Sequence, residues 1–123
     1  MADNEKEKLD FDEYQKHAYN LISPEGKKDM VLNGVLGLAG ESGECCDIVK
    51  KVKFQGHTMD PAHLEEELGD VLWYVAETAS GLGLSLEDVA KANLDKLHKR
   101  YHGEEFHAAD SVNRPEYQKK EEK

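Results

Sequence analysis

The chain has 123 residues, a formal net charge of −10 and 38% apolar side chains. That is enough for one modest core and too acidic for the phosphate backbone of a long nucleic acid. No apolar run approaches the roughly 18 residues of a membrane span, and the N-terminus lacks a basic-then-apolar leader pattern, so a soluble, cytoplasmic protein with no membrane partner is expected.

Residues 1–10 are polar and predict a flexible N-terminus. The spacing of Phe11, Tyr14, Ala18 and Leu21/Ile22 predicts a first helix that stops at Ser23-Pro24, because proline cannot continue one. A second helix is expected from about Lys27 to Phe54, with Val31, Val35, Leu38, Cys45, Val49 and Val52 along one broad face. FQGHTM makes a turn. Asp60-Pro61 then restarts the chain, with aspartate as cap and proline in the first helical position, where no amide hydrogen is needed. The third helix runs to about Ser80 on Leu64, Leu68, Val71, Val75 and Ala79. GLGL breaks it, and Ser85-Leu-Glu-Asp88 resembles a capping box. That box opens a fourth helix to about Tyr101, on Leu86, Val89/Ala90, Leu94 and Leu97. Residues 103–123 are polar, lack helical periodicity and predict a disordered tail. No segment alternates with period two for the length of a strand. The fold class is therefore all-α, with one helical domain over 11–102, and the short link between the second and third helices predicts an antiparallel hairpin.

Two features of that hairpin bear on function. Glycine recurs at every third position of the second helix, at Gly34, Gly37, Gly40 and Gly43, although each interior glycine costs about 1 kcal/mol relative to alanine. The glycines are expected to permit close approach of a neighbouring helix, a partner copy or a ligand. Among them, Glu41-Ser-Gly-Glu44 sets two carboxylates three apart, and Glu67-Leu-Gly-Asp70 repeats the pattern on the third helix. Residues three apart share a helix face, so in a hairpin all four can converge at the edge of the seam. Such a cluster takes up protons or recruits cations. Oxygen donors without histidine or thiolate suit Mg²⁺ or Mn²⁺, and Mg²⁺ keeps open positions for phosphate oxygens. In a chain with 26 acidic residues the same spacing also fits a solvated helix face. Asn93, Lys96 and Arg100 share a face of the fourth helix, where lysine offers phosphate a point charge and arginine a fork.

Glu41-x-x-Glu44 followed by Glu67-x-x-Asp70, the wording GLAGESGE, KKVKF and EEELGDVLWYV, and the later Asn93-x-x-Lys96-x-x-x-Arg100 together resemble the MazG-like nucleoside triphosphate pyrophosphohydrolases. The resemblance covers about Tyr14 to Tyr101. It implies a four-helix MazG-like fold working as a homodimer or homotetramer. It also implies Mg²⁺-dependent cleavage of a nucleoside triphosphate, NTP or dNTP, between the α and β phosphates, giving monophosphate and pyrophosphate, with a role in clearing aberrant nucleotides. By position, Glu41, Glu44, Glu67 and Asp70 become the catalytic metal ligands. Lys96 and Arg100 become triphosphate contacts beside Asn93, and Asn33 becomes a contact to base or sugar. His63 stands where some members carry a phosphate-binding lysine. Two other readings compete. A di-iron bundle needs Glu-x-x-His on its core helices, and only Glu104 to His107 offers that spacing here. A non-catalytic acidic helical module would sense nucleotides or bind a protein without turnover.

Overall fold

The computed structural model describes residues 7–118. Of the expected flexible N-terminus, residues 1–6 lie outside the described residues, as do residues 119–123 of the expected tail. Asp10 starts helix α1 (Phe11–Asn20) by accepting the Glu13 amide at 2.8 Å. After Pro24, a single 3-10 turn, Gly26–Lys28, places its first amide on Ser23 Oγ at 3.0 Å. Helix α2 (Met30–Phe54) begins only at Met30, where Asp29 accepts the Leu32 amide at 3.1 Å. The start expected from sequence is earlier, near Lys27. The local cap decides it.

Helix α3 (Pro61–Gly81) opens as expected, with Asp60 accepting the Ala62 amide at 3.1 Å and proline in the first turn. It closes with a Schellman motif. Gly83, at φ +70°, lets its own amide reach the Ser80 carbonyl at 3.1 Å and that of Leu84 reach Ala79 at 2.9 Å. Three further helices follow, α4 (Leu86–Arg100), α5 (Ala108–Val112) and α6 (Pro115–Gln118). Among the described residues there is no strand, so the fold is all-α, as expected. No helix among them is long and apolar enough to cross a membrane.

The chain divides into two compact units, Met1–Leu86 and Glu87–Lys123. In the first, α2 and α3 form the expected antiparallel hairpin. Moving along α2, Met30 and Val31 neighbour Gly81, Gly34 neighbours Thr78, and Gly37 neighbours Tyr74. Gly34 and Gly37 make this closeness possible, because a Cβ at either would overlap Thr78 or the Tyr74 ring. Gly40 and Gly43 are different: nothing lies within 4 Å of the place a Cβ would take. Helix α1 lies against α3, and Ala18, Ala76 and Leu86 form a buried centre with Tyr14, Trp73 and Val75 packed on it. Gln15 ties this corner together. Its amide donates to Ser80 Oγ at 3.0 Å and to the Leu84 carbonyl at 2.9 Å, while its carbonyl accepts the Leu86 amide at 2.7 Å.

The expected apolar face of α2 is only partly covered. Val31, Leu38, Cys45 and Val52 are half-buried, but Val35 and Val49 are exposed. Leu32, Val35 and Leu36 leave an open apolar stripe at helical spacing, with Leu36 64% exposed.

In the second unit, α4 continues from Glu87, and two short helices stand within the stretch read from sequence as a polar tail. Arg100 Nη2 donates to Glu116 Oε1 at 2.6 Å, and the Tyr101 and Phe106 rings lie 5.5 Å apart.

Candidate functional site

The hairpin register carries Glu41 on α2 to the level of Glu67 and Asp70 on α3. Each of the three offers a carboxylate oxygen within 4.8 Å of the others. Glu41 and Glu67 are half-buried and Asp70 is exposed. A hydrogen bond to Glu67 pushes the Glu41 carboxyl above its ordinary range, reinforced by burial and by the charges of Asp70, Glu67 and Glu44. Carboxylates this close repel one another, which favours either a shared proton or a bound cation. Three carboxylate oxygen donors from two helices fit a hard divalent cation. The fit rests on these donors.

Glu44 stands one turn further along α2, outside that trio. It lines a neighbouring cavity of about 210 Å³ with Asp47, Lys51, His57, Asp60 and His63. Lys50 and Lys51 both pair with Asp47, at 3.2 Å and 2.7 Å. His63 Nε2 lies 3.9 Å from Glu67 Oε1, which places it beside the carboxylates it precedes in sequence. Tyr14 also borders the cluster, its hydroxyl raised by burial and then by Asp70. Cys45, next to Glu44 on α2, has its thiol pushed up by burial first and then by Glu67, Cys46 and Glu41.

Asn33 lies two turns before Glu41 on α2. Its Nδ2 donates to Glu77 Oε1 at 2.7 Å. Between this pair and the carboxylates, the Tyr74 ring covers Gly37 and meets Trp73 edge-on, with centroids 5.0 Å apart. Tyr74 thus packs inside the hairpin, and Trp73 on the buried centre of Ala18, Ala76 and Leu86.

On α4, Asn93 and Lys96 are exposed and Arg100 is half-buried. Arg100 is held by Glu116, and its Nε is buried without a partner among the described residues. Sequence reasoning did not single out Glu116, Glu77 or Gln15.

The family model of the MazG nucleotide pyrophosphohydrolase domain matches residues 32–103, more than half of the chain. The chain belongs to the MazG family. Among curated relatives of this MazG chain, the Gene 37 protein of Mycobacterium phage L5 is 41% identical over 69 residues, covering 53% of this chain and 60% of the phage protein. YvdC of Bacillus subtilis (strain 168) is 32% identical over 103 residues, covering 82% of this chain and 95% of YvdC. The MazG chain thus spans less than two thirds of the phage protein and nearly all of YvdC. No solved structure matches it.

Proposed function

We propose that this MazG-family chain hydrolyses nucleoside triphosphates, NTP or dNTP, between the α and β phosphates to nucleoside monophosphate and pyrophosphate, using Mg²⁺ or, in its place, Mn²⁺. The observation that carries the reading is the convergence of Glu41, Glu67 and Asp70 across the α2–α3 hairpin. In this reading those three hold the cation, with Glu44 one turn along completing the set. A bound Mg²⁺ supplies neutralisation of phosphate oxygens and a water of lowered pKa. The protein's part is to hold its carboxylates in place before the ligand arrives. A ligating carboxylate must be ionised, and positive charge beside Glu41 would favour that form against the raising effect of Glu67 and the neighbouring carboxylates. Asn33 contacts the nucleoside, while Asn93, Lys96 and Arg100 serve the triphosphate. Removal of aberrant or surplus nucleotides in the cytoplasm is the role that fits this chemistry.

The deciding experiment incubates the protein with Mg²⁺ and a panel of canonical and modified NTPs and dNTPs, and identifies products by chromatography. Monophosphate and pyrophosphate, lost on adding EDTA, are expected. Diphosphate and orthophosphate would place the cleavage at another bond. Binding without turnover would leave the non-catalytic nucleotide-sensing reading in its place.

The assembly is proposed to be a homodimer or homotetramer, supported by the open stripe of Leu32, Val35 and Leu36 on α2. Sedimentation is expected to give at least twice the chain mass. Leu36→Glu is expected to reduce that mass to a monomer's. A monomeric wild type, or an unchanged mass for the variant, would remove this stripe as the interface.

A further inference from the structure

Glu77 is the most deeply buried charged side chain among the described residues, at 1% exposure. It makes one hydrogen bond, to Asn33 Nδ2, and its Oε2 is buried without a partner. For filling space or satisfying an amide this is a poor choice. Leucine would fill the site without a stranded oxygen, and glutamine would offer the same acceptor. Glu77 Oε1 accepts from Asn33 Nδ2 at 2.7 Å, and an ionised carboxylate, unlike an amide, has no hydrogen to offer in return. An Asn33 amide facing it must present nitrogen, and the carbonyl oxygen is driven to the other side.

Asn33 as a whole is exposed, although its nitrogen is turned inward. It stands two turns from Glu41, about 12 Å along the helix axis, a span comparable to the reach from a nucleotide's phosphates to its base. The Tyr74 ring over Gly37 lies between.

We propose that Glu77 is a positioning residue that locks Asn33 with its carbonyl oxygen outward, so that the seam selects nucleotides whose base edge offers a hydrogen-bond donor such as an amino group. The inference rests on the nucleotide-binding part of the proposed function, and it concerns selectivity alone. A site with one fixed acceptor favours a base bearing the donor over one that lacks it, because the acceptor is otherwise stripped of water for nothing.

The test uses matched triphosphates that differ only in that donor: cytidine triphosphate against its 4-deamino analogue, and adenosine triphosphate against purine riboside triphosphate. Affinity is read by calorimetry and by melting-temperature shift in Mg²⁺, with turnover measured separately. Wild-type protein is expected to bind the amino-bearing member of at least one pair roughly tenfold more tightly. Glu77→Gln is nearly isosteric but can either accept or donate, so Asn33 becomes free to turn over. The preference is then expected to collapse toward unity while Mg²⁺-induced stabilisation and helical content persist. If Glu77→Gln fails to fold, Asn33→Ala with the same pairs must lose the preference.

Equal affinity within both pairs for wild type overturns the proposal and leaves the hydrolase reading standing. So does a preference that survives Glu77→Gln in folded protein. Discrimination in binding without turnover upholds the proposal and defeats the hydrolase reading. Failure of every triphosphate to bind defeats both.

Discussion

Glu41→Gln is expected to abolish turnover while raising the melting temperature of the metal-free protein at neutral pH. Activity falls because a carboxylate oxygen leaves the trio, a loss on the order of 10²–10³-fold or more for one group acting on developing charge. Stability rises for a reason visible in the same geometry. The Glu41 carboxyl is raised by its hydrogen bond to Glu67, by burial and by the neighbouring carboxylates. The folded state therefore binds this proton more tightly than the unfolded chain does. The stabilisation is complete below the ordinary carboxylate pKa and is lost as pH climbs through the raised value. Glutamine keeps a donor for Glu67 at every pH. Metal-free wild type should thus lose melting temperature between acid and neutral pH more steeply than Glu41→Gln, and Mg²⁺ should restore it in wild type alone. A metal-free variant no more stable than wild type at neutral pH would mean that the cluster is not under charge stress.

The second large effect is expected at Gly34. Helix propensity alone says that alanine there gains about 1 kcal/mol. The structure reverses the sign. A Cβ would overlap Thr78 Oγ1 and come within 3.0 Å of the Thr78 amide nitrogen and 3.1 Å of its Cα. The hydroxyl is not free to swing aside at no cost, since it donates to the Tyr74 carbonyl at 2.8 Å. Relief requires the helices to part, and overpacking of this kind costs about 1–3 kcal/mol. Parting them also draws Glu41 away from Glu67 and Asp70, so activity should fall with stability. Gly40→Ala is the control: it meets nothing within 4 Å, and the propensity gain should appear in denaturant unfolding of the isolated chain. If the two variants move stability in the same direction, close approach at Gly34 is not what the glycine serves.

The contrast between those glycines shows how far the sequence could be read. Its triplet spacing pointed to close approach, and at Gly34 and Gly37 a neighbouring helix is indeed packed against the backbone. Nothing in the spacing separates them from Gly40 and Gly43, which face open space, because that distinction depends on hairpin register and not on local pattern. The trio of carboxylates was legible for the opposite reason. Glu67 and Asp70 share a face of one helix whatever the register, and the short link sets the two helices antiparallel, which brings Glu41 to their level. Glu44 was grouped with them by that spacing, yet the geometry sets it one turn on. Glu77 escaped notice because a glutamate within a helix ordinarily reads as solvated charge. Its one signal was position: it falls seven residues after Asp70, on the same face, opposite Asn33 once the hairpin is closed. The α2 start, expected near Lys27, falls at Met30 for a local reason, since the Asp29 side chain caps the helix by accepting the Leu32 amide.

Cys45 gives the hairpin a chemical property of its own. Alkylating reagents attack the thiolate, and burial, then the charges of Glu67, Cys46 and Glu41, push this thiol's pKa up and disfavour that form. Positive charge settling beside Glu41 and Glu67 cancels part of that field, so the fraction of reactive sulfur grows as the carboxylates are occupied. Cys46, its exposed neighbour in sequence, supplies an internal reference. If the carboxylates take up a cation as proposed, the rate at which Cys45 takes up a label is therefore expected to rise with their occupancy, in a protein that is turning nothing over.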